Sequence, residues 1–171
     1  MEYPLRMERY AIMPDSGGAG KFRGGCGVIR EVRLLADTGT FGLRVENNIF
    51  PTWGVSGGMG GGTSSVTINP GSPHEAEIQG FSDDNVWNKG DLVRICTAGG
   101  GGWGDPLDRE PDKVLDDVKD GFVSFNAAIE NYGVVINPNS LLIDLDATRI
   151  IREQIRSDRG PTKLFHRINY F

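Results

Sequence analysis

The sequence predicts an α+β fold, with a β-rich N-terminal part followed by a small helical C-terminal part. Three observations carry this prediction. Short segments of alternating polarity, separated by Gly, Asn, Asp and Pro turns, run to about residue 100. After Pro106 the apolar spacing becomes helical and cap residues flank it. Glycine is abundant, 25 of 171 residues, about twice the usual ~7% share, and it gathers at the strand connections.

The first strand expected is Met7–Met13, in which Met7, Arg9, Ala11 and Met13 oppose Glu8, Tyr10 and Ile12. In the second, Val28, Arg30, Val32 and Leu34 oppose Ile29, Glu31, Arg33 and Leu35. FGLRVENNIF gives a third strand, SSVTINP a short fourth, and DLVRICTAG another with Leu92, Arg94 and Cys96 on one face. Asp37-Thr38-Gly39, Asn47-Asn48, Gly57–Gly62 and Asn69-Pro70-Gly71 supply the turns between them. Such a series favours a sandwich or an open barrel.

Beyond Pro106, a helix is expected to start at Pro111 and stop at Gly121, with Val114, Leu115 and Val118 inward. A second runs from a Ser124 N-cap to a Gly133 C-cap. VVIN and SLLID read as two short strands. A third helix is capped by Asp144 or Asp146 and carries Ile150, Ile151 and Ile155 on its buried stripe. The division expected is 1–106 as a glycine-turn β domain, 107–160 as a helical segment with a strand pair, and 161–171 as an apolar docking tail. Leu164, Phe165, Ile168, Tyr170 and Phe171 make that tail apolar.

The net charge of −5, without a basic run, argues against nucleic acid as a partner. No stretch reaches 18 apolar residues, so no membrane helix is expected, and the charged N-terminus does not read as a signal peptide. Cys26 and Cys96 lack CxxC spacing and read as reduced thiols of a cytoplasmic protein.

DSGGAGKFRGGCG, residues 15–27, and TAGGGGWGDP, residues 97–106, are the candidate chemistry. The first fails as a P-loop, because Phe22 stands where Ser or Thr should follow Gly20-Lys21. It fails as GxGxxG because Arg23 occupies the third glycine position. A backbone nest for an anion survives, with Lys21 and Arg23 adding charge. A purely structural turn explains the stretch more economically. The same holds for Gly99–Gly104, where Trp103 is expected to pack over the glycine shelf. His74 and His166 lack ligand clusters, and no metal site is expected. Asp83-Asp84 and Asp116-Asp117 are paired acids, and the second pair is expected on a solvated helix face. Cys26 reads as a reactive or an inert buried thiol, and Ser16 has no partner to activate it.

Several segments together resemble the hydantoinase B/5-oxoprolinase family, in its C-terminal portion. They are YPLRMERYAIMPDSGGAGKFRGGCGVIREVRLL, PTWGVSGGMGGG and KGDLVRICTAGGGGWGDPLDREPDKVLDDVKDGFVSFNAAIENYGVVI. The resemblance implies an ATP-dependent system of the hydantoinase, oxoprolinase or acetone/acetophenone carboxylase kind. In it, a larger A-type subunit binds ATP, with magnesium or manganese, and phosphorylates the substrate's carbonyl or enol oxygen. A B-type subunit then carries out ring opening or carboxylation. No cofactor is expected on this chain. Family B chains are several times longer, and this one starts at Met1 just before the Asp15–Gly25 element. A split gene, a truncated form or a naturally separate small subunit would account for this, and the Met start and apolar tail favour the last, inactive alone and completing a B-type partner. The acetophenone carboxylase branch, built from more subunits than its relatives, fits that arrangement. It implies C–C bond formation on a ketone, by a ligase. The alternatives are a purely structural subunit, or the same module in a cyclic-amide hydrolase. The positions that match the family motifs, and are expected to line a substrate or anion route, are Asp15, Ser16, Gly17, Gly18, Gly20, Lys21, Arg23, Gly101, Gly102 and Asp105. No catalytic residue is assigned.

Overall fold

The computed structural model describes residues 3–161 and 164–166. The strands are β1 (Leu5–Ile12), β2 (Val28–Leu34), β3 (Thr38–Arg44), β4 (Gly54–Val55), β5 (Ser65–Ile68), β6 (Ala76–Ile78), β7 (Phe81–Asn88), β8 (Leu92–Cys96), β9 (Val135–Ile136), β10 (Ile143–Asp144) and β11 (Phe165–His166). The helices are α1 (Pro111–Lys119), α2 (Phe125–Tyr132) and α3 (Leu145–Arg159), and a 3₁₀ turn covers Pro106–Asp108. The fold is α+β, as the sequence predicts, with antiparallel sheets first and the helices after Pro106.

Five strands form one antiparallel sheet in the order β1-β2-β8-β5-β6. β3 and β7 form a separate antiparallel ribbon. The ribbon packs on the sheet through Leu34, Leu43, Val66, Trp87 and Val93, all buried. Phe41 meets Trp87 edge-on at 5.1 Å between ring centroids, the geometry that aromatic quadrupoles favour. β7 is not among the strands expected from sequence. Its stretch FSDDNVWN buries only Trp87. A register shift opposite Phe41–Leu43, with Asp84 at φ 56°, breaks the period-2 signal. The third expected strand also stops early, at Arg44, and Asn47 takes positive φ three residues later.

The helical part follows its cap chemistry closely. Pro111 opens α1, and Gly121 follows it at φ 76°. Ser124 caps α2, its Oγ accepting from the Ala127 amide at 3.1 Å, and Gly133 closes it in the left-handed conformation. Asp144, rather than Asp146, caps α3 through the Ala147 amide at 2.9 Å. Ser124→Ala leaves that α2 amide without its acceptor and is expected to cost about 1 kcal/mol in a urea melt. The buried stripe of α3 differs from the expected one. Ile151 and Ile155 face inward as expected, but Ile150 is exposed, and Thr148 and Arg152 join the stripe in its place.

The second core joins both halves of the chain. Val114, Val123, Ala127, Ala128, Tyr132, Val134 and Ile136 pack with Ala19 from the first glycine cluster, and Met59 leans on them. The glycine segments therefore form the floor on which the helices sit. In the C-terminal tail, Phe165–His166 pairs antiparallel with Gly54–Val55, and the Ser56 amide donates to the Leu164 carbonyl at 2.7 Å. Ile168, Tyr170 and Phe171 lie outside the described residues. Among the described residues no helix is long and apolar enough to cross a membrane.

Candidate functional site: a knot of glycine backbones

Three glycine-rich segments, 15–27, 52–62 and 99–104, fold against one another with little side chain between them. Bare backbone lets strands of chain approach far closer than side chains permit. Amide–carbonyl bonds then link all three. Gly18 donates to Gly100 at 2.8 Å, Gly100 to Gly25 at 2.8 Å, Gly24 to Gly18 at 2.9 Å and Gly102 to Met59 at 2.9 Å. Met59 donates to Ala19 and Gly62 to Ser16, both at 2.7 Å, and Gly99 donates to Gly62 at 3.0 Å. Phe22 and Trp103 exchange amide–carbonyl bonds at 2.9 Å in both directions.

The sequence-predicted residues take distinct places in this knot. Asp15 sits at φ 60°, and its carboxylate accepts the Ser124 amide at 2.7 Å, which ties the knot to the start of α2. The buried Ser16 hydroxyl donates to Met13 O at 2.5 Å and accepts from Gly27 N at 2.8 Å. With both functions engaged on backbone, it acts as a staple. A Cβ at Gly17, Gly18, Gly20, Gly101 or Gly102 would collide with the backbone of Gly24, Met59, Trp103, Trp53 or Ala19 respectively. The amides of Gly18 and Gly102 point at carbonyls, so they do not open an anion nest. Asp105 caps the 3₁₀ turn through Leu107 N at 2.9 Å and binds Arg159 at 2.5 Å. Burial pushes its carboxyl pKa up, but Arg159 and the Leu107 amide outweigh this and hold it below the usual value.

Lys21 and Arg23 part company. Lys21 is exposed, and its backbone carbonyl accepts from Arg109 Nη1 at 3.0 Å. Arg23 turns inward. Its Nε faces Asp117 Oδ1 at 3.3 Å, Nη1 donates to Gly24 O at 2.6 Å, and the guanidinium lies 4.8 Å over the Phe122 ring. Arg23 Nη1 also reaches Cys26 Sγ at 3.3 Å, and that thiol donates to Phe122 O at 3.7 Å. The Trp103 ring is half exposed and tilted against Phe22 at 5.6 Å.

Asp117 overturns the expectation of a solvated acidic pair. Its side chain is 10% exposed and holds both Arg23 and Arg109, the latter at 2.8 Å. A buried acid requires such partners. The spacing Val114-Asp117-Val118 already puts it on the apolar stripe of α1, and that is the signal that identifies it. Beside this cluster Tyr132 is 1% exposed, and its hydroxyl has no hydrogen-bond partner among the described residues. Burial pushes its pKa up to about 12, against the opposing pull of the Arg109 charge. The phenol is therefore neutral across the physiological range.

A concavity of about 800 Å3 lies outside the three glycine segments. It opens between Val45–Phe50 and Glu77–Phe81, and Glu46 and Glu77 are its titratable lining residues. Among the described residues no three His, Cys, Asp or Glu side chains gather as a metal site.

Residues 1–106 match the family described as Hydantoinase B/oxoprolinase. The chain belongs to that family. Among solved structures, it resembles that of acetone carboxylase, from work on ATP-dependent acetone carboxylation, with a TM-score of 0.68 and 27% identity over 91% of this chain and 25% of that one. It resembles the ATP-dependent caprolactamase from Pseudomonas jessenii equally, with a TM-score of 0.68 and 31% identity over 88% and 26%. The acetophenone carboxylase delta subunit of Aromatoleum aromaticum is 27% identical over 201 residues, 97% of this chain and 29% of that protein. The chain spans about a quarter of the length of the curated relatives it matches.

Proposed function

We propose that this chain is the small component of an ATP-dependent enzyme complex, completing a hydantoinase-B-type subunit, and that the complex carboxylates a ketone of the acetophenone kind. The observation that carries this reading is the knot. Both family motifs, distant in sequence, are consumed in building one rigid platform on which α1 and α2 rest. Likeness to acetone carboxylase over 91% of the chain supports a role in carboxylation. On this reading ATP and its magnesium or manganese ion sit on a larger A-type subunit, and the phosphorylated intermediates arise there. The complex works in the cytoplasm. This chain contributes no nucleophile. It holds shape, and offers the Lys21 ammonium at the rim of the knot to an anionic group.

A second reading has equal structural support. The likeness to caprolactamase is of the same quality, which favours cyclic-amide hydrolysis by the same module. One experiment separates the two. The complex is reconstituted with its partner subunits, and phosphate release from ATP is followed as carbonyl compounds are supplied. Release that depends on acetophenone or acetone together with bicarbonate supports carboxylation. Release triggered by a lactam or hydantoin without bicarbonate supports hydrolysis. In the same assay Lys21→Ala is expected to lower turnover about tenfold, the scale of one lost charge-assisted contact. Full turnover by that variant removes Lys21 from any substrate route and leaves the chain a purely structural role. Arg23→Ala is the poorer probe, because Arg23 is engaged with Asp117.

A further inference from the structure

The two edges of the five-stranded sheet are unlike. β6 ends one side with three residues, Ala76–Ile78, too short to template another strand. β1 ends the other with eight, and among the described residues it pairs only with β2. Both faces of β1 are open. Leu5, Met7, Tyr10 and Ile12 are all exposed, Met7 by 54% and Tyr10 by 61%. A long edge that is apolar on its surface is the kind a folded protein covers or blunts. Blunting is partial, since Arg6, Glu8 and Arg9 put charge on the strand and Arg30 lies 5.3 Å over the Tyr10 ring. The one bulge lies between Met7 and Arg9. The Glu8 carboxylate turns back over the sheet to Arg33, at 2.6 Å, and to Arg6 at the same distance.

The register also fixes which backbone groups are bare. Hydrogen bonding alternates along an antiparallel pair. Met13 donates its amide to Gly27 O at 2.9 Å, so Ala11 and Arg9 also face β2, and Tyr10 and Ile12 turn their amides to the open side. The residues with outward amides are thus among those with exposed apolar side chains. Main-chain bonds supply affinity in strand addition, and alternate side chains supply selectivity. β1 offers both.

We propose that β1 is the seam through which this chain joins its partner, and that a strand of the hydantoinase-B-type polypeptide adds to its open edge. This rests on the reading of the chain as a component of such a complex. The occupant is argued from length. Matched relatives are about four times as long as the part this chain matches, so three quarters of such a polypeptide is on hand to supply the strand.

The test uses proline at positions where it spares the chain's own sheet. Proline removes an amide, and on an edge strand it is tolerated where that amide points outward. Tyr10→Pro and Ile12→Pro therefore leave the bonds to β2 in place and block the added strand. The tagged full-length chain is expressed in the cells that make it, and the proteins it retains are sequenced. Wild type is expected to retain a hydantoinase-B-type polypeptide, and each proline variant to retain about tenfold less, the loss of one or two main-chain bonds. Hydrogen exchange on the wild-type complex gives a reading that does not depend on how well the variants fold. The Tyr10 and Ile12 amides are expected to exchange at least about tenfold more slowly in the complex than in the free chain. If the hydantoinase-B-type polypeptide is retained while those two amides stay fast, the seam lies elsewhere and the proposed function stands. Retention of further copies of this chain alone overturns the occupant. If wild type retains neither, the seam and the proposed function fall together.

Discussion

Gly101→Ala is expected to destabilise the protein by about 3 kcal/mol or more, the upper end for an over-packed site. A Cβ at Gly101 would run into the carbonyl of Trp53, with the amide nitrogen of Gly54 only 3.2 Å away. Neither obstacle is a flexible side chain. To make room, the 52–62 segment must move off the 99–104 segment, and the bonds along that seam must lengthen together. Among these are Val55 N to Gly102 O, at 3.0 Å, and Gly102 N to Met59 O. Gly25→Ala is the matched control. It lies in the same knot, has no positive φ, and an added Cβ there meets nothing within 4 Å. That variant is expected to be neutral or to gain a few tenths of a kcal/mol through the unfolded chain. Thermal melts of the two variants side by side make the comparison. Similar melting temperatures would mean that the glycines serve chain flexibility rather than close approach, and the platform reading of the knot would fail.

The parts of the fold that sequence reveals are those in which a side chain does the local work. Ser124, Gly133 and Asp144 mark helix ends because each supplies a cap or a left-handed turn, and all three stand where expected. β2 and β8 are legible because short runs rich in β-branched apolar residues, Val28, Ile29 and Val32 in one and Val93 and Ile95 in the other, stand between turn residues. β7 is not, since Ser82, Asp83, Asp84 and Asn85 belong to a strand that buries only Trp87. The knot falls between these cases. Its motifs stand out in the sequence, but their convergence does not. A contact made by one carbonyl and one amide is the same for every glycine, so nothing in the letters says which segment meets which. Asp117 was hidden by its neighbour. Read with Asp116 it looks like a solvated pair, and read with Val114 and Val118 it belongs to the buried stripe.

Asp117→Asn is expected to be the most destabilising change outside the knot, at about 3–5 kcal/mol, the usual cost of removing one partner from a buried ion pair. Two guanidinium groups, Arg23 and Arg109, converge on this carboxylate, with side chains 15% and 14% exposed. Asparagine keeps the shape and one acceptor oxygen but removes the charge. Two buried cations are then left without a counter-ion, and desolvated charge is far more costly than a lost hydrogen bond. The damage should concentrate where these arginines hold the chain together. Arg109 also donates to the Lys21 carbonyl, and Arg23 to that of Gly24, so both sides of the seam between knot and helices loosen at once. Replacing all three groups by Asp117→Leu, Arg23→Met and Arg109→Met should recover most of the loss, because a packed apolar cluster substitutes for a buried ion cluster at little net cost. Urea melts of the single and triple variants give the answer. If Asp117→Asn costs less than about 1 kcal/mol, water reaches the carboxylate as it does an exposed pair, and the joint between the glycine platform and the helices is held by apolar packing around Ala128 and Tyr132 alone.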